Sequence, residues 1–161
     1  MAERALVTDS AGEFDDALAD GGVLLALDLG TRTIGIATCD AGWRFATAGK
    51  TIPRGKFGKD SGKLREIVDA RKVAGIVIGL PRNMDGSEGP RSQASRAYAR
   101  NLAQAFGLPV LLWDERWSTT SAEAAMIGQD MSRAKRAERI DSHAAAVILQ
   151  AAIDRLAGAA F

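Results

Sequence analysis

The sequence predicts an α/β fold: a mixed sheet in which an antiparallel three-strand meander is followed by parallel strands, with helices on its faces. Three observations predict it. The apolar run Val23–Leu29 is separated by a short polar turn, Gly30-Thr31-Arg32, from a second run at Ile34–Thr38, which reads as a β-hairpin. Gly75–Leu80 is continuous and rich in β-branched residues, the pattern of a strand covered on both faces and therefore parallel and central. Between and after these runs, apolar residues recur at helical spacing.

Taken in order, residues 1–22 carry Asp15, Asp16 and Asp20 and close on Gly21-Gly22. They read as an N-terminal tail or a short helix (Phe14, Leu18) outside the core, with residues 23–161 as the domain itself. After the hairpin, Asp40-Ala41-Gly42 is a turn and Arg44–Ile52 a third, more polar strand. Pro53–Lys59 is a basic loop. Ser61–Lys72 follows as a helix with Leu64, Ile67 and Val68 on one face. Pro81 stops the central strand and opens a loop to Pro90 rich in Asn, Asp, Gly and Ser. Ser92–Phe106 is a helix closed by Gly107, which suits a left-handed cap. Pro109–Trp113 is a last short strand that runs into Asp114-Glu115-Arg116. Thr120 and Glu123 form a capping box for a helix through Ile127. Residues 128–139 read as basic and irregular, and Ile140–Leu156 as the final helix.

Composition narrows the function. A chain of 161 residues fits one domain, and a hydrophobic fraction of 47% is too high for disorder over most of it. No apolar run approaches the ~20 residues that span a bilayer, and no basic-then-apolar leader is seen, so the expectation is a cytoplasmic protein with no membrane partner. The lone Cys39 cannot form an internal disulfide, and with one histidine, His143, neither triad catalysis nor a C-x-x-C zinc site is supported. Hydrolytic chemistry must rest on carboxylates and hydroxyls. With 21 basic and 20 acidic residues, any nucleic-acid contact must be a local patch.

Three carboxylates stand out. Asp28 ends the first strand and Glu115, beside Asp114, ends the last; sites in open α/β sheets form outside the carboxyl ends of strands. Asp141 opens the last helix in line with Ala144, Ala145, Ile148, Leu149 and Ala152, so it heads an apolar stripe. The bland readings are a turn-capping Asp28 and a helix-capping Asp141. Three such groups pressed together repel, and a divalent cation removes the conflict. An all-oxygen set suits Mg²⁺ or Mn²⁺, and such ions catalyse phosphodiester cleavage. The loop with Asn83, Asp85 and Ser87 overhangs the same edge as a substrate-contacting candidate or an ordinary turn. Arg133, Lys135, Arg136 and Arg139, with Arg116, could hold a phosphate backbone; a solvated face is the plain alternative. Trp117 could stack on a base or be packed.

Asp28-Leu29-Gly30-Thr31 with Ile34-Gly35, Gly79-Leu80-Pro81 with Asn83–Ser87, Asp114-Glu115-Arg116 with Ser118-Thr119, and Asp141 with Ala144-Ala145 together resemble the YqgF/RuvX family, described both as Holliday junction resolvases and as pre-16S rRNA nucleases. The resemblance covers Val23 to Leu156 in four ordered motifs. It implies an RNase H-like fold and a nuclease site of Asp28, Glu115 and Asp141 around divalent metal. It also implies cytoplasmic location and a role at the 5′ end of the 16S rRNA precursor; Thr31, in the hairpin turn, is a further substrate-binding candidate. Trp117 stands where the family pattern has Leu, and nothing transfers to residues 1–22.

The leading expectation is thus a nuclease acting on structured RNA, with branched DNA as the alternative substrate. A resolvase would need a two-fold homodimer; no apolar stripe is left over for one, which tilts the reading toward a monomer. A nucleic-acid-binding module without turnover is a second class. A sugar kinase or actin-like ATPase, which shares the D-x-G-T hairpin, is another, but the chain is short for the two lobes it needs and does not repeat the hairpin.

Overall fold

The computed structural model describes residues 6–18, 21–115 and 133–159, with the stretch up to 141 given by its backbone alone. The elements are β1 (Val7–Thr8), α1 (Ala11–Ala17), β2 (Val23–Leu29), β3 (Thr33–Cys39), β4 (Ala46–Ala48), β5 (Ile52–Pro53), α2 (Phe57–Arg71), β6 (Val73–Leu80), α3 (Pro90–Phe106), β7 (Val110–Asp114) and α4 (Arg133–Ala159). The capping-box helix expected from Thr120 lies outside the described residues. Among the described residues no helix is long and apolar enough to cross a membrane.

The sheet runs β1-β7-β6-β2-β3-β4, with β5 also paired to β3. β2, β6, β7 and β1 are mutually parallel, and β3 is antiparallel to β2, β4 and β5. The expected mixed sheet is therefore present. The third meander strand is split in two: β4 pairs with β3 as Ala37↔Ala48 and β5 as Ile34↔Ile52, a register change of one residue that falls just after Gly49, whose N–H still donates to the Ile36 carbonyl at 2.6 Å.

Strand period decides the layers. Leu25, Leu27 and Leu29 of β2, with Ile76 and Ile78 of β6, meet Leu64 and Val68 of α2 and Tyr98 and Leu102 of α3. Leu24, Ala26 and Val77, on the opposite face, meet Phe14 of α1 and Ala145, Ile148, Leu149 and Ile153 of α4.

Three expectations are corrected. The short helix at Phe14 and Leu18 is present but not outside the core: Phe14 is fully buried and Leu18 nearly so, and β1 adds a parallel strand beside β7. The space is made by Gly75, where a Cβ would lie 2.8 Å from Phe14 and 2.9 Å from Leu18. α2 begins at Phe57, ahead of Ser61, because the basic loop itself turns helical after Lys56. The last helix begins at Arg133, so residues 133–139 are helical rather than irregular; Arg, Lys, Ala and Glu are good helix formers, and the polar run hides the period.

Candidate active site

Asp28 is half-buried and pairs with Gly35 across the hairpin. It shares its face of β2 with Leu24 and Ala26, so it lies on the α4 side of the sheet. The strand stops there because Gly30 closes the turn: its N–H donates to the Thr33 carbonyl at 2.9 Å, and a Cβ at Gly30 would meet that same oxygen at 2.9 Å. Arg54 secures the turn from outside, its Nη1 donating to the Gly30 carbonyl at 2.7 Å. Thr31 is exposed at the tip.

Glu115 follows the last residue of β7, and its side chain folds back over β6. A Cβ built on Gly79 would lie 2.5 Å from Glu115 Oε1, 2.9 Å from its Cγ and 2.9 Å from Ile148 Cδ1 of α4. Leu27 pairs with Ile78, so Gly79 is the next position beside Asp28. The missing side chain at Gly79 is the cradle into which Glu115 fits, one strand away from Asp28.

Asp141 reaches the same edge by way of α4. Its neighbour Ser142 is buried and shares a hydroxyl–hydroxyl hydrogen bond with Thr51, which precedes β5; Ile52 of β5 pairs with Ile34, next to Gly35. At the far end of the sheet, Gln150 accepts from the Ala46 N–H at 2.9 Å and donates to the Arg44 carbonyl at 3.0 Å. α4 thus runs along β3 from the Asp28 edge to the opposite edge. Position 141 falls two turns, about 10 Å, before Ile148 on the same line of the helix. Since the helix starts at Arg133, Asp141 sits two turns inside it and does not open it, so the helix-capping reading is removed.

The other expected residues fall as follows. Asn83, Asp85 and Ser87 are exposed in the loop that leaves β6 at this edge. They bond one another: Asn83 Nδ2 donates to Ser87 Oγ at 2.9 Å, and the Ser87 N–H and hydroxyl donate to Asp85 Oδ1 at 2.9 and 2.6 Å. These side chains shape the loop while facing solvent. Arg133, Lys135 and Arg136 lie on the first turns of α4, with side chains outside the description, and Arg116 and Trp117 lie outside the described residues. Asp114 does not join Glu115. It is buried on the other face, 4.0 Å from Arg82 Nε. Cys39 is buried, accepts from the Leu24 N–H at 3.4 Å, and burial pushes its thiol pKa up, which suits an inert packed thiol. His143, expected in solvent, is half-buried.

Sequence reasoning missed the hub at Arg82, which also approaches Glu88 at 3.8 Å and Asp9 at 3.9 Å. Glu88 is gripped by Arg96 through two hydrogen bonds of 2.6 and 2.7 Å, which lower its carboxyl pKa. This network anchors the loop above the site. It also missed Gly79, for which the signal was available: an isolated glycine inside a strand marks a close approach.

Asp28 and Glu115 offer only oxygen donors, and the lack of a side chain at Gly79 leaves Glu115 its place, 2.5 Å from where a Cβ would stand. Among the described residues no three His, Cys, Asp or Glu side chains gather; the third donor of the set would be Asp141. An all-carboxylate set of this kind fits a hard divalent ion.

Comparison with known proteins gives this edge its context. The family model for RuvX, described as Holliday junction resolvase, matches residues 22–155. The chain belongs to the RuvX family. RuvX membership makes it a nuclease, a hydrolase of phosphodiester bonds, with nucleic acid as substrate. It is 68% identical over 156 residues to a Novosphingobium aromaticivorans protein named "Putative pre-16S rRNA nuclease", covering 97% of this chain and 100% of that one. A protein of the same name from Sphingopyxis alaskensis is 60% identical, over 94% of this chain and 99% of its own. Among solved structures, Thermus thermophilus RuvC in complex with a Holliday junction substrate aligns with a TM-score of 0.55 at 13% identity, over 85% of this chain and 96% of that one. That likeness shows a shared fold, the RNase H-like architecture of the resolvases.

Proposed function

We propose that this RuvX protein is a divalent-metal-dependent nuclease that processes the 5′ end of pre-16S rRNA in the cytoplasm, with Asp28, Glu115 and Asp141 as its catalytic carboxylates. The observation that carries the site is Glu115 seated in the Gly79 cradle, one strand from Asp28, at the edge where α4 delivers position 141. The substrate rests on relatives that carry that name at up to 68% identity over nearly their full length. Bound there, Mg²⁺ or Mn²⁺ would activate a water and offset charge on the phosphate. The protein's own contribution is orientation. The Gly30 turn fixes the end of β2, the cradle fixes Glu115, and the Ser142–Thr51 bond fixes the register of α4 against the sheet. Carboxylates held this way need not reorganise as the reaction proceeds. Thr31, Arg116, Arg133, Lys135 and Arg136, with the Asn83–Ser87 loop, are assigned to the substrate.

A second reading, cleavage of four-way DNA junctions, is favoured by the description of the family model. It requires a two-fold dimer to cut two strands symmetrically, whereas the RNA reading works as a monomer. The test is cleavage, with Mg²⁺ or Mn²⁺, of a labelled 16S precursor 5′ segment, a four-way junction and a plain duplex. Cutting of the RNA alone supports the proposal. Symmetric cutting of the junction alone replaces it with the resolvase, and binding of every substrate with no cutting replaces it with a binding module.

A further inference from the structure

The basic loop after β5 is joined to the site through Arg54, which secures the Gly30 turn, while its lysines have no part in the site described above. Residues 50–63 hold five basic side chains, Lys50, Arg54, Lys56, Lys59 and Lys63, against one acidic residue, Asp60, in a chain whose net charge is only +1. Asp60 does little to offset them at the surface. It is 1% exposed and turned inward, accepting from the Gly55 N–H at 2.9 Å and the Tyr98 hydroxyl at 3.3 Å. Lys59 and Lys63, four residues apart on α2, share one face, and Lys56 is the residue that precedes the first turn of the helix. Arg32, exposed at the β2–β3 turn, adjoins Arg54 of the same basic segment, because its carbonyl accepts from the Arg54 N–H at 2.8 Å. The ion pairs found among the described residues all belong to Arg82 and Arg96, so these cations have no carboxylate partner among those residues.

The patch is also held in place. The Arg54 guanidinium lies 5.5 Å from the Tyr98 ring centre, and Phe57 meets the same ring edge to face at 5.3 Å. Arg54 then bonds the Gly30 carbonyl, two residues beyond Asp28. The patch therefore occupies the same sheet edge as Asp28, on the α2 side, while Asp28 and Glu115 lie on the α4 side.

We propose that Arg32, Lys56, Lys59 and Lys63 form a phosphate track that binds the nucleic-acid backbone flanking the cleavage point, so that the strand crosses the sheet edge from the α4 side to the α2 side. The inference rests on the nuclease reading. Its chemistry is recognition of phosphodiester charge, without base reading. Each phosphate neutralised steepens the dependence of log affinity on log salt by about 0.9 for duplex and about 0.7 for single strand.

The experiment measures binding of the single-stranded 16S precursor 5′ segment, and of the DNA strand of the same sequence, across salt concentrations in EDTA. It compares wild type, the triple variant Lys56→Gln/Lys59→Gln/Lys63→Gln, and a control triple of equal charge loss, Arg71→Gln/Arg100→Gln/Arg155→Gln, exposed positions away from this edge. Thermal melting checks that each is folded. The track predicts that the lysine triple alone loses about 2 from the slope, on both strands. An unchanged slope, an equal loss in the control, or an effect confined to RNA overturns it. If wild type cleaves the RNA while the lysine triple binds like wild type, this inference fails alone. If wild type neither binds nor cleaves any nucleic acid, the functional reading fails with it.

Discussion

Gly79→Ala is a one-methyl perturbation of the candidate site. The added Cβ would sit 2.5 Å from Glu115 Oε1, and ordinary contact starts at 3.4 Å, so the carboxylate must withdraw by almost 1 Å. The oxygen is the end of a flexible side chain and can turn away. The harder contacts are Glu115 Cγ and Ile148 Cδ1, each at 2.9 Å. Overpacking of this kind costs about 1–3 kcal/mol, and the freedom of Glu115 puts this case near 1 kcal/mol, or a melting shift of roughly 2–4 °C. The loss in activity should be larger, because a displacement of about 1 Å in a positioned group can cost ~10²-fold, equivalent to about 2.7 kcal/mol of barrier. Single-turnover cleavage and thermal melting of the same preparation separate the two. Wild-type cleavage by a folded Gly79→Ala would refute the claim that Glu115 works from this cradle.

Other outcomes follow from the same packing. Phe14→Ala should destabilise the protein by about 3–5 kcal/mol in urea unfolding, since it empties the space over Gly75; an unchanged midpoint would return α1 to the periphery. The Glu88 carboxyl is held below its usual 4.5 by Arg96, so its contribution to stability is present above pH 4.5 and is lost as the pH falls through the lowered value. Arg96→Leu should therefore flatten the acid limb of stability below pH 4.5, and identical limbs would contradict the pairing. Cys39, buried with its thiol pKa raised, should label with a thiol reagent only at the rate of unfolding, and rapid labelling of native protein would show a more open β3.

The sequence was informative where one residue pattern had one physical meaning. The hairpin at Val23–Leu29 and the central strand at Gly75–Leu80 were legible because alternation, length and turn residues agreed. The placement of Asp28 and Glu115 at strand ends on one sheet edge was legible because each is a carboxylate closing an apolar run. What escaped depended on distant residues. Phe14 looked peripheral with only Leu18 beside it, and its partner Gly75 is far along the chain. The start of α3 at Pro90 was hidden because proline reads as loop, although it is favoured in the first helical turn. The early start of α4 was masked by charge, and with it the position of Asp141 inside the helix.

The central claim is that three carboxylates from β2, the end of β7 and α4 act together at one sheet edge. The most direct measurement is single-turnover cleavage of the 16S precursor 5′ segment with Mg²⁺ or Mn²⁺ by wild type, Asp28→Asn, Glu115→Gln and Asp141→Asn, each shown to be folded. The account predicts that each variant alone loses at least ~10²-fold, as expected when oriented ligands act as a unit. Full metal-dependent cleavage by any one of the three would contradict it.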